Sequence, residues 1–189
     1  LEPAKTPEER LEEDIFFLSF GVGKSRRYHE KLWAYYVTLR DWMKILTAVT
    51  GSAAFGLVVA NWSYAGWFAA VVALLATLDV VMAPDKKADL HASLCRQFID
   101  LARQIEEMPR TEEHYRRATV QRLAIEMNEP PVKRLVDLMA QNDESRARGC
   151  PPGDQVPLSR WQRRLGYVFT FGMARLEDWA TKRPPAPAG

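Results

Sequence analysis

Between residues 45 and 83 the chain contains no lysine, no arginine and no glutamate, and a single acidic residue, Asp79. All twenty-six basic residues lie outside this block. So long a gap in charge excludes the usual helix of a soluble domain, which alternates polar and apolar faces along its length. Cysteine is scarce as well. Cys95 and Cys150 are the two present, far apart and in segments of cytoplasmic character, so no disulfide framework is expected. Three histidines are too few to assemble a Ser-His-Asp or Cys-His site with any of the available nucleophiles. His29-Glu30 opens like a zinc-protease HExxH, but Trp33 stands where the second histidine is needed. His91 and Cys95, one helical turn apart, could offer two metal ligands, and no third is evident. No enzyme active site, no metal and no cofactor is expected.

A phosphate loop is also missing, although Gly23-Lys24-Ser25 imitates its end. That loop needs a first glycine five positions earlier, so that backbone N–H groups wrap the phosphates, and Leu18 stands there. Gly21 is too close to replace it. The triplet is instead expected to be a hinge between two helical segments, with Ser25 capping the second. The acidic opening PEERLEED fits neither a Sec signal peptide nor a mitochondrial presequence. Acidic and basic residues nearly balance, giving a net charge of +2, and no reading motif for nucleic acid appears.

The uncharged block itself divides in two. ILTAVTGSAAFGLVVA (45–60) and GWFAAVVALLATLDVVMA (66–83) flank NWSYA, a turn carrying Trp62 and Tyr64, aromatic residues of the kind that settle at a membrane interface. Each half would measure roughly 24–27 Å as helix at 1.5 Å per residue, the short end of what spans a bilayer. Extended to Trp42-Met43 and Trp62, the halves reach workable length, with Lys44, Lys86 and Lys87 able to snorkel. A buried hairpin in a soluble bundle is the competing reading, favoured by the short spans and by Thr47, Thr50, Ser52 and Thr77. The absence of charge together with the aromatic turn favours the membrane. Arg40 and Lys44 before the first span and Lys86 and Lys87 after the second put both termini in the cytoplasm by the positive-inside rule.

Small residues recur every fourth position in both halves: Ala48, Ser52, Gly56 and Ala60, then Ala65, Ala69, Ala73 and Thr77. Such stripes let membrane helices approach closely. An antiparallel hairpin would oppose Ala60 to Ala65, Gly56 to Ala69, Ser52 to Ala73 and Ala48 to Thr77, in register. Asp79, two residues beyond Thr77, would then sit about 200° round the helix, pointing away from the first span. A carboxylate there either faces another subunit or an aqueous path, or reaches cytoplasmic water near Lys86.

On the cytoplasmic side, Tyr28, Leu32, Tyr35, Leu39 and Met43 share a helix face, with no breaker between them and the first span. After Pro84, residues Leu94, Phe98, Leu101, Ile105 and Met108 alternate steps of four and three, a coiled-coil seam. Its expected partner is the Tyr28–Met43 face, with self-association between subunits as the other choice. Thr111 caps a helical region expected to end near Gly149, CPPGDQVPL forms a linker, and an amphipathic helix follows over 159–181. That helix is too short in apolar residues to span, and either lies on the membrane surface or packs on the cytoplasmic bundle. The tail 182–189 reads as disordered. The fold class is therefore an all-α membrane protein, divided as 1–23 (acidic helix and hinge), 24–108 (spans about 45–62 and 65–83 with flanking helices), 109–149 (helical), 150–158 (linker) and 159–181.

RRYHEKLWAYYVTLRDWMK before the first span, GSAAF within it and TLDVVMAPDKKADLHASLCRQFIDLARQIE after it resemble the SLATT domain. This is a two-transmembrane effector family associated with bacterial nucleotide-signalling defence systems, and the resemblance covers roughly residues 24–108. It implies an oligomeric effector of the bacterial inner membrane that forms a pore or disrupts the bilayer during antiphage defence. It further implies an upstream sensor or nucleotide-signalling protein as partner, beside the lipid bilayer and further copies of the chain. Residues 110–189 depart from the bare domain and contain no recognisable nucleotide sensor. A non-conducting membrane adaptor, docking a partner through its soluble helices, is the other functional class open to the sequence.

Overall fold

The computed structural model of the chain describes residues 5–59, 65–174 and 176. These residues are all-α, in the order α1 (Pro7–Val59), α2 (Ala65–Met82), α3 (Pro84–Glu107), α4 (Glu112–Glu126), α5 (Arg134–Ala147) and α6 (Arg160–Leu165), with a 3-10 turn at Pro152–Asp154. They form two compact units, one drawn from segments 1–31 and 93–189, the other from 32–92.

Local chemistry starts α1. The Thr6 hydroxyl accepts from the Glu9 N–H at 3.2 Å, and the Glu9 carboxylate accepts from the Thr6 N–H at 2.7 Å. This reciprocal capping box is followed by Pro7, whose missing N–H is harmless in a first turn. The helix then runs on past Gly21, Gly23 and Ser25 without a break. The expected hinge and the Ser25 cap are therefore corrected. Both glycines serve close approach instead. A Cβ built on Gly23 would lie 2.5 Å from Glu144 Cδ, and one on Gly21 would lie 2.5 Å from the Arg122 guanidinium.

The first unit is cored by Ile15, Leu18 and Val22 of α1, Leu94, Phe98, Leu101 and Ile105 of α3, and Ala118 and Ile125 of α4, with Leu11 and Met108 packed at the edge. The seam expected on α3 is thus buried, but its partner differs. Leu11, Ile15, Leu18 and Val22, spaced four, three and four, meet it in place of the Tyr28–Met43 face. From that face Tyr28 borders the unit, and its neighbour His29 stacks on Phe98 at 5.6 Å. Thr111 caps α4 as expected, accepting from the His114 N–H. The N-cap of α5 has no side-chain bond of its own, and the Lys133 N–H donates to the Tyr28 hydroxyl at 2.9 Å instead.

Two expected segments take different forms. The linker 150–158 is a strap fastened to α5, because Asn142 both donates to the Val156 carbonyl (2.8 Å) and accepts from the Val156 N–H (2.7 Å). Val156 and Leu158 are buried. The helix expected over 159–181 is interrupted: α6 stops at Leu165, residues 166–172 leave helical structure with Gly172 at φ 69°, Met173, Ala174 and Leu176 are helical again, and residues 177–181 and the tail 182–189 lie outside the described residues. The buried Gln162 side chain, which donates to the Phe171 carbonyl at 3.3 Å, folds that turn back on α6.

In the second unit Leu32, Tyr36 and Met43 are buried, as are Pro84, Ala88 and His91. Tyr36 takes the place expected of Tyr35, stacking on His91 with centroids 5.6 Å apart. Asp85 lies 3.6 Å from both Arg40 and Lys44. Solvent screens these partly exposed pairs, so they add little to stability.

One helical run, Gly66–Glu107, is long and apolar enough to cross a membrane, and none of its apolar window is buried within the chain. It is the only such run among the described residues. Over the first expected span the chain is helical up to Val59 but is not long and apolar enough among the described residues to count as a second such run, and Ala60, Trp62 and Tyr64 fall outside them. Within the long run, Ala83 takes φ 43°, in the left-handed region that is unfavourable for a residue with a Cβ. Helical bonds continue around it, from the Ala83 N–H to the Asp79 carbonyl and from the Lys87 N–H to the Ala83 carbonyl. Pro84 has no N–H to return to Val80.

The two kinds of glycine separate in an unfolding experiment. On helix propensity alone, glycine to alanine stabilises by about 1 kcal/mol. At Gly23 the new methyl must displace the buried Glu144 carboxylate, so Gly23→Ala is expected to destabilise by roughly 1–3 kcal/mol. Gly56→Ala, with nothing within 4 Å, should not destabilise the folded chain. Thermal melts that leave Gly23→Ala as stable as the parent would refute the close-approach account.

Candidate functional site

Two groups of residues compete as the working part of the molecule: the apolar helical segments 45–59 and 66–82 and the charged junction between α1 and α5.

In the apolar segments, the described members of the small-residue stripe, Ala48, Ser52, Gly56, Ala69, Ala73 and Thr77, are all exposed. Ala60 lies outside the described residues, as does the side chain of Ala65. The half-covered positions among the described residues from 45 on are Thr47, Thr50, Gly51 and Ala53 on α1 and Val72, Leu75, Asp79 and Met82 on α2. Steps of four drift around a helix of 3.6 residues per turn, whereas steps of three and four keep to one side. Asp79 shares the half-covered face with Val72 and Leu75, and the stripe is left open. Large apolar side chains around it are bare, Phe55, Trp67, Val80 and Val81 each more than 70% exposed. The threonines bond to their own helices, Thr50 to the Leu46 carbonyl and Thr77 to the Ala73 carbonyl.

The α1–α5 junction is built around Glu144, which is buried. Arg27 Nε and Arg148 Nε each donate to its carboxylate at 2.7 Å, one to each oxygen. Arg148 also lies over the rings of Phe16 and Phe20, at 5.3 and 5.6 Å, and donates to Ser19 Oγ at 3.0 Å. Burial by itself would raise the Glu144 carboxyl pKa, yet the two arginine hydrogen bonds and charges outweigh it and hold the group below the ordinary carboxylate value. Lys24 pairs with Asp137 at 3.0 Å, and Lys31 with Asp143. The lysine of the false phosphate loop is thus committed to a structural ion pair.

Beside this junction lies a cleft of about 210 Å³, with Met139 and Leu158 as apolar wall and Lys31, Arg146, Arg163 and Asp143 at its rim. Asp143 pairs with Lys31 and Arg146, so the lining is largely self-neutralised. The buried His29 imidazole meets Glu129 at 3.0 Å. His91 is engaged with Tyr36, and the Cys95 thiol points to the Arg26 carbonyl at 3.7 Å. Burial and the nearby Glu30 push that thiol pKa up, the opposite of what a reactive cysteine needs. Both cysteines are free, and among the described residues no three His, Cys, Asp or Glu side chains gather as a metal site.

Sequence reasoning missed Glu144, Arg27, Arg148 and Asn142. The only local trace was the i,i+4 spacing of Glu144 and Arg148. Comparison with family models, with curated proteins and with solved structures finds no match for the chain. Its function has to be argued from its own residues.

The Glu144 site makes stability depend on pH with a defined sign. A carboxyl whose folded pKa lies below its unfolded value of about 4.3 stabilises fully above that value. The contribution is lost as pH falls through the folded pKa. Denaturant melts from pH 7 downward should therefore show a loss of stability below about pH 4.3 that is smaller in Glu144→Gln. An identical pH slope in parent and variant would show that Glu144 is not the group responsible.

Proposed function

We propose that the chain is an oligomeric two-transmembrane effector that forms a pore in, or disrupts, the inner membrane of a bacterium, consistent with a role in antiphage defence. The observation that carries this reading is the bareness of the apolar helices. The long run Gly66–Glu107 buries none of its apolar window, and Phe55 and Val49 on α1 are equally uncovered. Contiguous apolar surface of this kind is incompatible with water and is satisfied by lipid or by further copies. The exposed stripe of Ala48, Ser52, Gly56, Ala69, Ala73 and Thr77 is then a surface for neighbouring subunits, since nothing among the described residues covers it. The basic residues at the cytoplasmic ends of the spans orient both termini inward. The SLATT resemblance supplies the defence context and the upstream nucleotide-signalling partner.

A non-conducting adaptor is the second reading, favoured by one feature. Val120, Leu123 and Met127 of α4 form an exposed apolar row at steps of three and four, on a helix whose other face is in the core. Such a row fits a docking surface for a partner protein.

Four measurements test these readings: the first two test the membrane placement that both share, and the last two separate them. Carbonate-washed membranes should retain the chain, and reporters after residue 189 and at the N-terminus should both read as cytoplasmic. Induced expression should then depolarise cells if the chain conducts and leave them polarised if it is an adaptor. Asp79→Asn, which keeps size but removes charge, should change ion selectivity or abolish depolarisation in a pore. Unchanged depolarisation in both Asp79→Asn and Asp79→Leu would end the pore role for this residue.

A further inference from the structure

The segment after the strap has an unusual composition for a soluble surface. Between Gln155 and Ala174 there are three arginines, Arg160, Arg163 and Arg164, and no acidic residue. Over the same stretch Trp161 is 67% exposed and Phe169 61%, with Leu165, Val168 and Phe171 also open to solvent. The segment is not a frayed end. Ser159 and Gln162 close a capping box at 3.1 and 2.9 Å, Gln162 ties α6 to the Phe171 carbonyl, and the Lys133 ammonium donates to the Tyr167 carbonyl at 2.5 Å. The fold thus holds indole and phenyl rings out to solvent among arginines that form no ion pair with a described carboxylate.

We propose that residues 159–171 form an interfacial foot that docks on an anionic lipid surface, with Trp161, Val168 and Phe169 at the headgroup–acyl boundary and the three arginines on lipid phosphates. The inference rests on the membrane reading above and adds the lipid class and the surface that meets it. Charge decides the occupant. A second copy of the same face would bring like charges together, whereas an anionic leaflet is complementary to it. Aromatic residues flanked by arginine, with carboxylates absent, are what an interface between hydrocarbon and phosphate selects. Of the two sequence-based options for this segment, packing on the cytoplasmic bundle leaves the exposure of these rings unexplained.

The test uses the full chain in lipid nanodiscs, with a nitroxide at Phe169→Cys or, separately, at Val80→Cys, in a background with Cys95→Ala and Cys150→Ser. Collision with oxygen against a water-soluble nickel chelate reports depth. In discs of phosphatidylcholine and phosphatidylglycerol in equal parts, the Phe169 label should favour oxygen. It should shift towards the nickel chelate in pure phosphatidylcholine, and in the Arg160→Glu, Arg163→Glu, Arg164→Glu variant. A Phe169 label freely reached by the nickel chelate in the anionic discs, with the Val80 label deep in hydrocarbon, overturns the foot while leaving the membrane reading intact. A label shielded from both reagents points to a protein partner and overturns it too. A watery Val80 label defeats the membrane reading and the foot with it.

Discussion

Taking a carboxylate out of water costs several kcal/mol unless its lone pairs find donors, and the first unit is organised around meeting that demand at Glu144. Arg27 and Arg148 reach it from two helices. For the carboxylate to come so near α1, the helix must present a residue without a side chain, and Gly23 does. Arg148 then lies over the Phe16 and Phe20 rings on α1, of which Phe16 stays exposed. Asn142, two residues before Glu144, holds the strap at Val156, and the strap leads into α6. Removing the pairing would leave a buried charge and would loosen everything that follows α5.

The parts of this arrangement that were legible in the sequence are those written in nearest neighbours. The absence of a breaker before residue 45 correctly gave a helix running into the first apolar segment, and Thr111 followed by two glutamates gave the start of α4. The 4-3 rhythm of Leu94, Phe98, Leu101 and Ile105 announced a buried seam. Its partner was hidden because Phe16, Phe17 and Phe20 surround Ile15, Leu18 and Val22 with apolar residues and blur the same rhythm in α1. Gly23 was misread as a hinge for a related reason. Glycine is a poor helix former, so locally it signals flexibility, while its use here depends on a residue far along the chain. The small-residue stripe is a different case, since a four-residue repeat winds around a helix and its described members are exposed, so spacing alone does not say what they meet.

The candidate working surfaces divide by the kind of contact they leave unmet. The charged junction is satisfied, its cations and carboxylates largely paired with one another. The apolar helices and the arginine-flanked aromatic turn leave large apolar side chains exposed, which the proposed membrane reading assigns to lipid. This asymmetry weighs against chemistry at the junction and in favour of work done where the chain meets its surroundings.

The proline that opens α3 carries a consequence for how such a helix sits in a bilayer. With no N–H at Pro84, the carbonyl of Val80 lacks its usual helical donor, and a bare carbonyl is poorly tolerated in hydrocarbon. Headgroups or water would have to reach it, which fixes a floor to immersion at that level. From Ala65 to Met82 the helix offers 18 residues, roughly 27 Å at 1.5 Å per residue, against a hydrocarbon thickness of about 30 Å. The helix has little slack to tilt. A hydrophobic mismatch of this sign is relieved by local thinning of the bilayer, so the sequence at Pro84 would set a preference for thin membranes and a standing elastic stress on the lipids around each copy.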